Sequence, residues 1–184
     1  MSASVAFSRR RLSQLIACSL LLPLSLNAFA ANKITDQKTP EMHGRGGAAA
    51  TINEYATQSA MHVLNHGGNA IDAAVAAAAT LGVTDPFSCG IGGGGFMLIY
   101  LAKEKRFITL DHRETAPQGF RADAFMRDGK EIVWEDAVNS GMSVGVPGTV
   151  RGWDEALRRY GSMSFKKVLA PAISVAEKGF PITP

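Results

Sequence analysis

Apolar and polar positions follow different rhythms in successive stretches of the chain. The first is a mostly apolar run, Leu12 to Leu26, preceded by Arg9-Arg10-Arg11 and followed by Asn27-Ala28-Phe29-Ala30. A positive start, a hydrophobic middle and a small-x-small end in that order predict a secretory signal peptide over residues 1–30, cut after Ala30. Pro23 and Ser25 interrupt the run, and a bilayer-spanning helix needs about 20 apolar residues, so it predicts export without a stable membrane anchor. Ser8-Arg9-Arg10 also partly fits a twin-arginine signal, and Leu15-Ile16-Ala17-Cys18 a lipoprotein box.

Helical spacing begins after a polar leader, residues 31–44, that has no apolar period. Asn53 is placed to cap a helix with Ala56, Ala60, Val63 and Leu64 on one face, ending at Gly67-Gly68. Asn69 caps a second helix, Ala70 to Leu81, with Asp72 in its first turn and Gly82 and Asp85-Pro86 at its end. Seven alanines and one charge make that helix apolar almost all round, which predicts a buried helix packed closely on its neighbours.

Past the glycine run the period changes. Phe96 to Leu101 and Phe107 to Leu110 read as antiparallel strands joined by the charged turn Ala102 to Arg106. Ser143 to Gly148 is expected to be extended and to lead into an amphipathic helix, Thr149 to Tyr160, with Val150, Trp153, Ala156 and Leu157 inward. Phe165 to Lys178 is helical again, with Pro171 as a kink or break and Gly179 as its exit. No internal repeat and no low-complexity tract interrupts this order of strands and helices.

Charge and cysteine content then narrow the function classes. The chain has 19 basic and 16 acidic side chains, and removing the three arginines of the signal leaves 16 against 16. A mature chain near neutrality gives no reason to expect nucleic acid as a partner. Cys18 leaves with the signal, so Cys89 stands alone, as a small buried hydrophobe or a nucleophile.

Three patterns carry candidate chemistry. Gly90-Ile91-Gly92-Gly93-Gly94-Gly95 satisfies the dinucleotide spacing, but a helix precedes it and a strand follows, the reverse of a phosphate loop. The run therefore predicts positive backbone dihedrals or a close approach of backbone to something else, and no cofactor. His62 and His66 share a helix face, but Val63 stands where a zinc-hydrolase helix carries Glu, so no metal is expected. Asp111-His112-Arg113-Glu114 places a guanidinium at a strand end behind the glycines. Arg113 either grips a small carboxylate with its planar fork or makes a local ion pair that shapes the turn before Pro117.

The order and spacing of Gly44-Arg45-Gly46-Gly47, Gly67 to Ala74, Gly92 to Met97, Asp111-x-Arg113-Glu114-x-Ala116-Pro117, Gly145 to Val150 and Leu169 to Ala172 resemble the large subunit of the gamma-glutamyltranspeptidases. The resemblance implies an N-terminal-nucleophile hydrolase of the α+β class, an αββα sandwich of helices over two sheets, made as a precursor that cleaves itself into two subunits. The freed threonine would attack the gamma-glutamyl amide of glutathione and related compounds, its own amine acting as base, and pass the glutamyl group to water, amino acids or peptides. In the family, the arginine of the D-x-R-E motif binds the substrate α-carboxylate, which makes Arg113 the implied substrate-binding residue.

The resemblance also implies that 45–184 is the N-terminal part of the large subunit, truncated, with the nucleophile, the small subunit and most strands lying beyond Pro184. No catalytic residue is then expected in this chain, and the purified 184-residue polypeptide is expected to release no nitroaniline from a gamma-glutamyl anilide. Detectable release contradicts that expectation. Two other readings fit the same residues: a glutaryl or cephalosporin acylase of the same superfamily, and an exported amino-acid-binding module that glutamate titration would reveal.

Overall fold

Asn53 and Asn69 both cap helices, and each does so with its own side chain. The computed structural model describes residues 44–182; residues 1–43, on which the expected signal peptide and most of the leader fall, and residues 183–184 lie outside the described residues. Helix α1 (Glu54–Asn65) starts with the Asn53 side chain accepting from the amides of Tyr55 and Ala56, at 2.9 and 3.4 Å. It ends where Gly67 takes a φ of +88°, a conformation that costs a glycine little. Helix α2 (Ala70–Thr84) opens with a capping box: the Asn69 side chain accepts from the amides of Ile71 and Asp72, and Asp72 accepts from the Asn69 amide at 2.8 Å.

Helix α2 runs past Leu81 and through Gly82 to Thr84, three residues beyond the predicted end. Gly82 is there for space: a Cβ on it would meet the Ile91 side chain at 3.3 Å and the Cys89 carbonyl at 3.4 Å, so it lets the next segment fold back onto the helix. That segment holds a single helical turn, α3 (Pro86–Cys89), which begins with proline at its first position.

Strands β1 (Phe96–Leu101) and β2 (Arg106–Asp111) pair antiparallel, from Phe96 opposite Asp111 to Leu101 opposite Arg106. Gly95 and His112 extend this ladder by one pair, with N–H to O distances of 2.9 and 3.3 Å. Ile99 is buried and Met97 half-buried, whereas Phe96, Leu98, Tyr100 and Phe107 on the opposite face are more than half exposed. Two strands with a bare apolar face are not a self-sufficient sheet, since such a hairpin is marginal in water.

A second, short hairpin, β3 (Met126–Arg127) and β4 (Lys130–Glu131), turns on Asp128 and Gly129 at φ of 53° and 74°. Asp-Gly is the usual sequence signal for a turn with two positive φ values, which the periodicity of the flanking residues does not reveal. Beyond it come α4 (Trp134–Val138) and a 3₁₀ turn (Gly141–Ser143), so the extended stretch begins at Val144 and not at Ser143.

Helices α5 (Thr149–Tyr160) and α6 (Phe165–Lys178) close the core. Trp153, Ala156 and Leu157 point inward as predicted, but Val150 is 45% exposed and Thr149 and Gly152 are buried in its place. The buried stripe starts one residue earlier than hydrophobicity suggests, because Thr149, Gly152, Trp153, Ala156 and Leu157 keep the three-and-four spacing of one helix face. Pro171 lies inside an unbroken α6, which exits at Gly179 with φ +76°.

The core itself is a cluster of small side chains. Ala56, Ala60 and Val63 of α1 meet Ala73, Val75 and Ala76 of α2, joined by Trp153, Leu157, Val168 and Ala172. Alanine-faced helices let backbones come close and gain from many short-range contacts, so this core tolerates added volume poorly. Asp72 is fully buried within it. Its carboxylate accepts from the Ser162 amide at 3.0 and 3.1 Å, the Ser162 hydroxyl at 2.6 Å and the Met163 amide at 3.2 Å, pinning the start of α2 to the α5–α6 connection. Asn69 adds a bond from its side-chain nitrogen to the Tyr160 carbonyl at 2.7 Å.

Candidate functional site

Arg113 stands on a strip of backbone held from both sides by glycines. On one side is Gly94, whose missing Cβ would lie 2.6 Å from the His112 carbonyl, 2.7 Å from the Glu114 amide and 2.8 Å from the Arg113 Cα. On the other are Gly145, where a Cβ would approach that of Glu114 to 2.7 Å, and Gly148, where it would overlap the His112 carbonyl. The amides of Gly148 and Thr149 both donate to the Gly93 carbonyl, at 3.0 and 3.1 Å, and Thr115 and Val146 bridge with bonds of 2.8 and 3.3 Å. Of the two readings of the glycine run, close approach is the one the structure bears out, because no glycine from Gly90 to Gly95 has a positive φ.

The approaching atoms at Gly94 are backbone, and backbone cannot swing aside as a flexible side chain can. Gly94→Ala is therefore expected to lower stability by about 1–3 kcal/mol and to displace the arginine strip. Urea titration of the intact protein measures the first effect; an unchanged midpoint would show that the strip yields at no cost.

The guanidinium is only loosely tied. Arg113 Nε lies 3.5 Å from Glu114 Oε2, and the arginine side chain keeps 63% of its surface exposed. Asp111 does not pair with the guanidinium; its Oδ1 accepts the Arg113 backbone N–H at 3.0 Å and shapes the turn. An exposed ion pair at that distance contributes little to stability. The fork is thus left without a close partner, and Arg113 lines a cavity of about 390 Å³ with Glu114 to Pro117, Phe120, Phe125 and Met142 to Gly145. Phe120 and Phe125 form one apolar wall, edge to face with ring centroids 5.6 Å apart. Arg113 and Glu114 also line a larger cleft of about 650 Å³, together with Gly93 to Leu98 and Trp153.

The remaining candidate groups do not join this constellation. Cys89 borders the larger cleft, and burial followed by the Asp85 charge pushes its thiol up, which disfavours the reactive thiolate. His62 and His66 stack with ring centroids 4.0 Å apart, and His66 Nδ1 donates to the His62 carbonyl at 2.7 Å. Among the described residues no group of three His, Cys, Asp or Glu side chains could hold a metal ion, and no described helix is long and apolar enough to cross a membrane. Phe120, Phe125 and Met142 are cavity residues with no sequence signal, since the first two lie on the irregular loop between Pro117 and β3 and Met142 returns in the 3₁₀ turn.

The model of the family described as Gamma-glutamyltranspeptidase matches residues 56–184. This chain belongs to the gamma-glutamyltranspeptidase family. Among its curated relatives in that family, the "Glutathione hydrolase proenzyme" of Bacillus subtilis (strain 168) is 48% identical over 162 residues, 88% of this chain and 28% of the relative. The "Glutathione hydrolase proenzyme" of Escherichia coli (strain K12) is 40% identical over 76% of this chain and 24% of its own length. The chain thus spans under a third of these relatives. The crystal structure of Helicobacter pylori gamma-glutamyltranspeptidase superposes with a TM-score of 0.73 at 37% identity, over 77% of this chain and 40% of that one. That from Pseudomonas nitroreducens, complexed with L-DON, gives 0.68 at 40% identity, over 73% of this chain and 39% of that one. The fold is accordingly the mixed α+β, N-terminal-nucleophile hydrolase type of this family, of which the chain covers a part.

Proposed function

We propose that this chain is the N-terminal part of an exported gamma-glutamyltranspeptidase whose complete form cleaves the gamma-glutamyl amide of glutathione and passes the glutamyl group to water, amino acids or peptides. Arg113 supplies the grip on the α-carboxylate of the glutamyl group. The single observation that carries this role is the open, exposed guanidinium fork on a backbone strip fixed by close glycine contacts, in the lining of a cavity of about 390 Å³. A bidentate guanidinium on the α-carboxylate orients the substrate so that the gamma carbonyl, and not another part of the molecule, meets the nucleophile.

The nucleophile, in this reading, is the threonine freed by self-cleavage of the precursor, and the small subunit that carries it is the partner of this segment. Residues 1–30 direct export, residues 31–44 form the leader and residues 45–184 the folded large-subunit segment. The function is tested on the complete protein with three anilides that share one scissile bond. A gamma-glutamyl anilide is expected to be cleaved, a 4-aminobutyryl anilide, which lacks the α-carboxylate, to be poor, and a glutaryl anilide, which lacks the α-amine, to be intermediate or poor. Preference for the glutaryl compound would move the assignment to an acylase, and cleavage of none of the three would refute it.

A further inference from the structure

We propose that His112 is the positioning residue for Arg113, a wedge that sets where the carboxylate-binding guanidinium stands. The inference rests on the reading of Arg113 given above. The His112 backbone is fixed by its paired bonds with Gly95, at 2.9 and 3.3 Å, and its carbonyl is covered by Gly94 and Gly148. Its side chain then projects into a slot that only glycines make. A Cβ on Gly152 of α5 would come within 2.5 Å of the ring Cγ and 2.6 Å of His112 Cβ. Across the slot, a Cβ on Gly95 would meet the ring Cε1 at 3.2 Å.

No hydrogen bond explains the histidine. Its Nδ1 is buried without a partner, a situation that weakens a fold. What the ring does is keep the β2 end and α5 apart at a set distance immediately before Arg113. Removing the ring leaves a void between two glycine faces, and the strip carrying Arg113 shifts into it. Displacements on the order of 1 Å at a bidentate contact suffice to lose most of its orienting effect.

The test uses the intact enzyme and reads the preference for a gamma-glutamyl over a 4-aminobutyryl anilide, as a ratio of kcat/KM values. His112→Ala is expected to lower that ratio by about tenfold or more, because a misplaced fork loses the carboxylate alone. His112→Phe, which keeps the wedge without the ring nitrogens, is expected to retain most of it. Adding His112→Ala to Arg113→Ala is expected to lower the ratio no further than Arg113→Ala does. A general loss of stability would depress both substrates together and leave the ratio unmoved. Should the alanine variant fail to mature, His112→Leu, which fills only part of the slot, carries the same comparison. A ratio held within about twofold in His112→Ala, or additive losses in the double variant, would overturn the proposal while leaving the Arg113 reading standing. An unchanged ratio in Arg113→Ala itself would overturn both.

Discussion

Arg113→Ala in the intact enzyme is expected to reduce kcat/KM for a gamma-glutamyl donor by roughly 30-fold to several-thousand-fold, the equivalent of about 2–5 kcal/mol for truncating one partner of a desolvated charge pair. The loss belongs to binding and orientation, so KM rises. Stability should scarcely change, within about 0.5 kcal/mol, because the side chain is 63% exposed and its pairing with Glu114 is long. Arg113→Lys keeps the charge without the planar fork and is expected to recover only part of the loss. Steady-state kinetics with glutathione and a gamma-glutamyl anilide, beside a urea unfolding curve, separate the two effects. An unaltered KM would leave Arg113 as no more than the local ion pair that its neighbours permit.

The largest expected effect on stability is at Asp72. Burial alone pushes its carboxyl up, but the Ser162 hydroxyl and the amides of Asn69, Met163 and Ser162 all donate to it and hold it below its ordinary value of 3.8. Asp72→Ala leaves those donors buried without an acceptor and is expected to cost on the order of 3–5 kcal/mol. A carboxyl lowered in the folded state stabilises the fold at pH values above its unfolded pKa. That contribution begins to fade as the pH drops below about 4 and is gone once the pH passes the folded value. The unfolding midpoints of the intact wild-type protein and Asp72→Asn, taken from pH 7 downward, should therefore converge in that acid range. Amide exchange at Ser162 and Met163 should quicken in the variant. Parallel curves at every pH would show that the carboxylate does not carry the connection.

How much of this was legible in the chain depended on range. The caps at Asn53 and Asn69 act over two or three residues, so their positions are written in the local sequence. The strands β1 and β2 were legible for the same reason, as short apolar runs around a charged turn. Gly82 misled because a glycine at a helix end and a glycine under a returning loop have the same local pattern. Val150 misled because its hydrophobicity outranks that of Thr149 and Gly152, yet α5 turns the smaller residues toward the core. Pro171 was expected to kink or break α6, and it does not break it. At the site, the family motif singled out Arg113, but Phe120, Phe125 and Met142 enter its cavity through a loop whose path no periodicity encodes.

By itself, then, the order of residues determined the four long helices, the β1–β2 hairpin, the even balance of 16 basic and 16 acidic side chains after residue 30 and the place of Arg113 in its motif. Those are consequences of hydrogen bonds, backbone preferences and charge counted over a few neighbouring positions. Tertiary structure alone decided that the glycine run is a close contact and not a left-handed turn, that Asp72 fastens residues 90 positions away, and that His112 sits between Gly95 and Gly152. Each of these depends on which distant surfaces are pressed together, and close packing makes the missing Cβ atoms and buried acceptors matter only once those surfaces meet.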